Sequence, residues 1–461
     1  MLSRAIARSS LATLAGLIPH YLAFYWLHTP LWTETIAEWI MANTPSHLAV
    51  PLLEALGSWA KPLAMTGALA TLGFAVFLTL PLRWIGPLLA AVLLGWAFDY
   101  HSWVGQISLW LPVTLVAASS RIAFIPDRRR FVTSAVMSSG VVAIALESFL
   151  RNQALARRAV EPVPLWPFQP PPDHFAPGLV RKALTPTPEF YGMSKDTVDP
   201  AIDPARWRLK ITAGGQTLKE YRYSELLGLP RVDRYVTLRC VSNTLKSDLM
   251  GTAAWSGIHL SQLVERSAVP HGACEVAIIG IDGHGDSLSL DYAFSDETLL
   301  ALGMNGKTLD RTHGFPLRLL VPRYYGFKNV KWISEISFVT KPYFGTWPRM
   351  GYTKEPAVHI SSHIDQIRRA PEGWKVGGVS FAGTRGIRAV EVRAGGGPWI
   401  PAALDRPLSP FTWTRWFALL PPVPANQVEA RAMDGDGRWQ ESREGPLFPN
   451  GVTGPTIRRL G

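Results

Sequence analysis

The chain reads as a multidomain protein: an N-terminal α-helical membrane bundle of about five spans over residues 1–150, a mixed α+β domain over 180–355, and an immunoglobulin-like β-sandwich over 356–461. Three observations predict this. Uncharged apolar segments, each bounded by charge, crowd the first third; prolines gather between Pro162 and Pro177; and beyond them short alternating runs are separated by glycine and proline turns. With 461 residues, 18 tryptophans and 47% apolar content, the chain is too long for one ordinary domain and long enough for two or three.

The expected spans are Leu11 to Trp26, apolar apart from His20, then Pro62 to Leu80, Trp84 to Phe98, Gly105 to Ser120 and Phe131 to Leu146. Between the first two, Thr33 to Lys61 carries Glu34, Glu38 and Glu54 in a helical apolar pattern, which suits an interfacial amphipathic stretch. A buried core bundle is the alternative, and five such segments in one block argue against it. Arg4 and Arg8, Arg83, and Arg121 with Arg128 to Arg130 all fall on one side of a five-span arrangement, so that side is cytoplasmic. Everything after Leu150 is then extracytoplasmic. Arg151, Arg157 and Arg158 pull the other way, but the triple arginine is denser and lies in a short loop.

Asp127-Arg-Arg-Arg-Phe131-Val132, followed by a small-residue apolar run, resembles a twin-arginine export signal placed as the last span. A plain positive-inside loop explains the arginines but not the phenylalanine. No clear cleavage site follows, so the span stays as an anchor. The proline-rich linker over 151–179 is expected to be extended and semi-rigid. It either holds the rest of the chain off the bilayer or wraps the domain surface.

In the α+β part the expected strands are Trp207 to Thr212, Arg234 to Cys240, Glu275 to Ile281, Phe315 to Val321 and Val330 to Thr340, and the expected helices are Ser224 to Leu229, His259 to Ser267 and Asp296 to Leu302. In the last segment Ser362 to Asp365, Lys375 to Gly383, Arg388 to Arg393, Phe411 to Phe417 and Asn426 to Met433 recur with Gly/Pro turns between them, the pattern of a sandwich.

Cys240 carries the chemistry. It ends an alternating run, where a soft, partly exposed thiolate at a strand end is what a metal or an electrophile needs. Cys274 is the one other cysteine, which excludes an all-cysteine metal site or an iron-sulfur cluster. On cysteine count alone, a Cys240 to Cys274 disulfide or a small buried hydrophobe fits as well. The neighbours favour the ligand: Cys240-Val-Ser-Asn243, then Trp255-Ser-Gly-Ile-His-Leu260 and Leu263, resembles the molybdenum-ligand segment of the sulfite oxidase family of molybdopterin oxidoreductases. A second block agrees: Met304-Asn-Gly-Lys-Thr-Leu, His313-Gly-Phe-Pro-Leu-Arg318, then Gly326-Phe-Lys-Asn-Val-Lys331-Trp332. Order and spacing match over roughly 180–355, and the last segment is similar to the dimerisation domain of that family, which permits a homodimer. The membrane block is outside the resemblance.

His313 and Arg318 flank an apolar run and can present two donors to an anion such as a pterin phosphate; an ordinary surface pair beside a core strand is the alternative. Lys328 and Lys331 frame the last expected strand, whose alternation puts Lys331 on the face opposite Trp332. The resemblance places Lys331 against the cofactor, where a cation stabilises dithiolene and oxo groups. It places Tyr352 at the separation of the family's active-site tyrosine, where a phenol donates to an oxo group and relays a proton. Asn243, Phe190 and Tyr191 complete the expected cofactor contacts, and Phe190-Tyr191-Gly resembles the cofactor-contacting pair of the periplasmic methionine sulfoxide reductase branch.

The resemblance implies a single molybdenum held by molybdopterin and Cys240, with no haem, flavin or iron-sulfur cluster. His20, His28 and His101 are read as interfacial or packing residues. It further implies a bacterial cytoplasmic membrane protein that works with a separate electron carrier, such as a quinone, a cytochrome or a membrane redox protein, and a small-molecule substrate. Where sulfite oxidases bind their anion with arginines, this chain has Thr244-Leu245-Lys246, Met193-Ser-Lys195 and Phe448-Pro-Asn450, so the planar fork is missing and only point charges remain. Sulfite is therefore disfavoured against a neutral or organic oxo substrate. A sulfite dehydrogenase and a cofactor-free scaffold or adhesion protein are the alternatives. The net charge of +11 is assigned to membrane-flanking arginines and cofactor contacts; no nucleic-acid motif accompanies it.

Overall fold

The computed structural model describes residues 160–195, 199–243, 248–422 and 426–459. The expected spans, the twin-arginine-like segment, the three lone histidines and the run Thr244-Leu245-Lys246 lie outside the described residues. Among the described residues no helix is long and apolar enough to cross a membrane.

In chain order the first half forms β1 (Arg208–Ala213), β2 (Gln216–Arg222), α1 (Tyr223–Leu227), β3 (Val232–Arg239), β4 (Met250–Ile258), β5 (Glu275–Gly280), β6 (Gly285–Ser289), α2 (Leu290–Ala293), β7 (Leu299–Met304), β8 (Lys307–Thr308), β9 (Arg318–Leu320), β10 (Ile333–Val339) and α3 (Thr346–Arg349). One sheet runs β2-β1-β10-β5-β6, with β1 and β10 parallel and the other pairs antiparallel. The second runs β3-β4-β7-β8, with β9 also paired to β7. Between them lies a core built on Trp207, Leu209, Trp255, Leu300, Ile333 and Phe338.

The expected helix from Asp296 to Leu302 is wrong: its second half is β7. Every residue of β7 is buried, and a short apolar run without alternation cannot be told from a buried helix by period. Pairing decides it, with Trp255 opposite Met304 on one side and Leu299 opposite Leu320 on the other. Likewise the expected helix from His259 to Ser267 is two single 3-10 turns, Leu260–Gln262 and Arg266–Ala268. β10 begins later than expected because Trp332 has φ +51, a left-handed residue that ends the alternation. Lys331 therefore does not sit on the face opposite Trp332; its ammonium lies 4.1 Å from the centre of the indole.

The second half forms β11 (Ser361–Ala370), β12 (Gly373–Phe381), β13 (Ile387–Ala394), β14 (Ile400–Pro401), β15 (Ala403–Leu404), β16 (Thr414–Leu420), β17 (Gln427–Asp434) and β18 (Thr456–Arg459). These make two four-stranded antiparallel sheets, β11-β12-β16-β15 and β14-β13-β17-β18. Alternate residues of β13 and β17 are buried, and they meet Val376, Trp416 and Leu420 of the facing sheet in one core.

The described part of the linker wraps the surface and is no spacer. Val163 exchanges hydrogen bonds with Thr308 at 3.0 and 2.8 Å, and Leu165 donates to the Gly306 carbonyl at 2.9 Å, so the strap caps the exposed edge of β8. It then crosses to the sandwich, where Asp173 pairs with Arg415 and Phe175 packs edge-on against Phe417 at 5.8 Å. Contacts also cross the 355/356 boundary. Ser409 donates to the Tyr235 carbonyl at 2.6 Å, and the Thr237 amide donates to the Phe411 carbonyl at 3.0 Å, so the sandwich braces β3.

Candidate metal and cofactor site around Cys240

β3 delivers Cys240 at its end, and the turn that follows is closed at its base. The Cys240 amide donates to the Leu249 carbonyl at 2.9 Å, and the Leu249 amide donates to Asn243 Oδ1 at 2.8 Å. Asn243 is thus the clasp of the loop that holds the thiol. Cys240 is buried rather than partly exposed as its strand-end position suggests, because Gly326 lies over it: a Cβ there would sit 3.5 Å from the Cys240 Cα. Both cysteines are free, so no disulfide joins Cys240 to the exposed Cys274. Burial pushes the Cys240 thiol up, against the hydrogen bond from Ser242, 3.0 Å away, and the charge of Arg239. A thiol in this state ionises when a metal cation binds it.

The floor is aromatic and cationic. Phe190 stacks on Tyr191 at 5.4 Å and stands edge-on to Trp255 at 5.7 Å and to His313 at 5.5 Å. Trp255, whose indole donates to the Val236 carbonyl at 3.2 Å, carries the Arg318 guanidinium 5.4 Å above its ring. Burial pushes Arg318 down to about 10, partly offset by the Tyr191 phenol and Asp310. Burial likewise holds the Tyr191 hydroxyl well above its ordinary value, with Cys240 adding to the rise and Arg318 opposing it. The Tyr191 oxygen would lie 2.8 Å from a Cβ at Gly326, which links this floor to the cover over Cys240.

His313 Nδ1 lies 2.8 Å from the Asp310 carboxylate, Nε2 lies 3.3 Å from the Phe190 carbonyl, and the His313 carbonyl accepts from Arg318 Nη1 at 3.1 Å. Lys331 donates to Ser194 Oγ at 2.8 Å and to the Thr312 carbonyl at 2.9 Å, with Asp199 at 3.9 Å. Phe190, Tyr191, His313, Arg318 and Lys331 are therefore linked to one another, and Tyr191 ties the set to Cys240.

Lys328 and Tyr352 are placed differently. The Lys328 ammonium donates to Asp286 Oδ1 at 2.8 Å and to the Ser287 carbonyl at 2.6 Å, so its charge is already matched. Tyr352 sits between Trp347, ring centroids 5.8 Å apart, and Phe448 at 5.1 Å, in an aromatic group that packs with Val241 next to Cys240. Sequence reading gave no role to Asp286, Asp310, Ser194, Asp199 or Arg239. Arg239 is buried, donates to the Asn243 and His359 carbonyls at 3.3 Å each, and lies 5.5 Å above the Tyr325 ring. The signal for Asp310 was present, an acid three residues before a histidine destined for burial; that for Asp286 was not, because Lys328 lies 42 residues away.

These residues fit a molybdopterin group. Tyr191 Oη, Arg318 Nε and Arg239 Nε are buried without a hydrogen-bond partner among the described residues. Each such donor costs about 1–3 kcal/mol, and an acceptor-rich anionic ligand supplies what the first two lack. Among the described residues no cluster of three or more His, Cys, Asp or Glu gathers to hold a metal.

Comparison with known proteins agrees. A family model described as oxidoreductase molybdopterin binding domain matches residues 196–347. The mitochondrial sulfite oxidase of Homo sapiens is 29% identical over 61% of this chain and 61% of that protein. The sulfite oxidase of Arabidopsis thaliana is 26% identical over 51% of this chain and 74% of its own. The protein-methionine-sulfoxide reductase catalytic subunit MsrP of Gluconobacter oxydans (strain 621H) is 32% identical over 38% of this chain and 64% of its own. The chain spans 61% of the length of the first of these relatives. Residues 196–347 thus match a molybdopterin-binding oxidoreductase domain, and sulfite oxidases are among the proteins this chain is similar to.

Proposed function

We propose that this chain is a membrane-anchored molybdenum-cofactor oxidoreductase that carries out two-electron oxygen-atom transfer on an extracytoplasmic small molecule. The observation that carries the reading is the buried Cys240 thiol set against a floor whose buried Tyr191 and Arg318 donors lack partners. Bound molybdenum supplies the oxygen-transfer site and the two-electron store. The chain supplies the thiolate of Cys240, the cations Arg318 and Lys331 with His313 to hold the cofactor's anionic groups, and the Tyr352 phenol to hold or pass a proton. Electrons move to or from a separate carrier, and the sandwich, read as immunoglobulin-like, offers a surface for pairing two copies.

An organic oxo substrate suits the site better than an inorganic dianion. Two lysines of the expected cationic set already lie beside carboxylates, Lys328 at 2.8 Å from Asp286 and Lys331 at 3.9 Å from Asp199. The resemblance to a methionine-sulfoxide reductase subunit points the same way, toward S-oxides. The relatives named sulfite oxidase favour sulfite as the second reading.

Metal and pterin analysis of the detergent-purified protein tests the enzyme reading: molybdenum near one per chain, lost in Cys240→Ala, is expected. Absence of molybdenum, or a metal content unchanged by that substitution, leaves the cofactor-free scaffold. A screen of S-oxides, N-oxides and sulfite then assigns the substrate. Sulfite turnover that disappears when Lys246 is changed overturns the organic-substrate reading.

A further inference from the structure

Three consecutive carbonyls of one loop collect the side chains of the site. The Arg311 carbonyl accepts from the Trp332 indole at 2.8 Å, the Thr312 carbonyl from the Lys331 ammonium at 2.9 Å, and the His313 carbonyl from the Arg318 guanidinium at 3.1 Å. Lys331 and Arg318 lie 13 residues apart in sequence and repel one another, so this backbone has to be stiff to keep both in place. Asp310 stiffens it. Asp310 Oδ1 accepts the His313 amide at 2.7 Å, its carboxylate takes His313 Nδ1 at 2.8 Å, and its carbonyl accepts the Phe315 amide at 3.0 Å, closing the loop across its own ends. Gly314, at φ +107, lets the chain pass between the two cations: a Cβ there would be 3.1 Å from the Lys331 Cβ and 3.2 Å from the Arg318 Cβ.

We propose that Asp310 is a positioning residue for cofactor binding, acting through His313 and the 311–313 carbonyls to set Arg318 and Lys331 where they hold the cofactor. The proposal rests on the function proposed above. Asp310 does its work as a brace. It fixes the imidazole on one side and the loop on the other, and its negative charge offsets that of the neighbouring Arg318, which is buried with an unpartnered Nε. An amide at this position keeps the shape and the acceptor for the His313 N–H but loses the charge.

The test uses the full-length protein purified with its cofactor. Molybdenum and pterin per chain are measured after dialysis across a salt series, with the thermal midpoint followed in parallel. In Asp310→Asn the salt concentration that strips half of the cofactor is expected to fall several-fold, against a fall of only about a few degrees in the thermal midpoint from the lost His313 contact. Asp310→Glu recovers most of the retention. His313→Gln shows a loss of similar size, and the double variant Asp310→Asn/His313→Gln loses no more than His313→Gln, because both act through one unit. Should Asp310→Asn fail to fold, Asp310→Ser, which keeps an acceptor for the His313 amide, is read against the same series with the same expectation. Wild-type retention in the charge-removing variant, or fully additive losses in the double variant, overturns the proposal. Wild-type protein that contains no molybdenum overturns the function reading and this proposal with it, and that result is seen before any substitution is compared.

Discussion

Lys328 and Asp286 form a closed ion pair, the ammonium 2.8 Å from a carboxylate oxygen with both side chains shut off from water. Burial pushes the Asp286 carboxyl above its ordinary range even though the charge of Lys328 opposes the rise, and the second carboxylate oxygen has no partner among the described residues. Removing one member leaves the other buried and unmatched, at a cost of about 3–5 kcal/mol. Asp286→Asn is therefore expected to lower the denaturation midpoint sharply, and the double variant Lys328→Met/Asp286→Leu to recover most of the loss. A double-mutant cycle in urea checks this; equal destabilisation by the single and double variants would refute it.

Arg318 presents the opposite case, a buried guanidinium whose Nε has no partner among the described residues and which costs stability. Burial pushes it from 12.5 down to about 10, so the folded protein binds its proton less tightly than the unfolded chain. The cost is fully present below about pH 10 and is relieved as pH rises from there toward 12.5. Arg318→Met is expected to raise the thermal midpoint of cofactor-free protein by roughly 2–4 °C while abolishing cofactor retention. Calorimetry and metal analysis on one preparation read both effects.

Asp310 has an acid-side signature. Burial alone would raise its carboxyl, but the hydrogen bond and charge of His313 outweigh this and hold it below its ordinary 3.8. A depressed acid contributes stability that is present above pH 3.8 and is lost as pH falls through the lower folded value. Asp310→Asn should accordingly flatten the acid limb of the stability profile below about pH 4, which pH-dependent melts would reveal.

Gly314→Ala tests the approach of backbone to the two cations. The residue would be held at φ +107 with its methyl group 3.1 Å from Lys331 and 3.2 Å from Arg318. A loss of about 1–3 kcal/mol is expected from the backbone alone, together with weaker cofactor retention. Unchanged retention would show that the loop yields without moving the cations.

Much of this was legible in the sequence, and the gaps have physical causes. The alternation of β13 and β17 gave their bounds, since each buries one face. β7 was misread because a strand buried on both faces has no period to read. Cys240, His313, Arg318 and Lys331 were singled out from motif spacing; the structure joins His313, Arg318 and Lys331 through the carbonyls of residues 312 and 313. Lys328 was found as a cation but not as a paired one, because Asp286 lies 42 residues away on β6 and meets it only when the chain folds the 3-10 turn of Gly326–Lys328 against that strand. Trp332 broke the expected facing of Lys331 through a single backbone angle that sequence patterns do not record.

The strap has a mechanical consequence. It is pinned to β8 by the Val163 and Thr308 exchange, and β8 closes the sheet in which β3 ends at Cys240. Tension or rotation applied to the chain at residue 160 is delivered first to that sheet's edge, and reaches the sandwich only through the anchors further along, Asp173 and Phe175. Of the two described halves, the one that bears the Cys240 thiol, three strands from the point of attachment, takes up that load first.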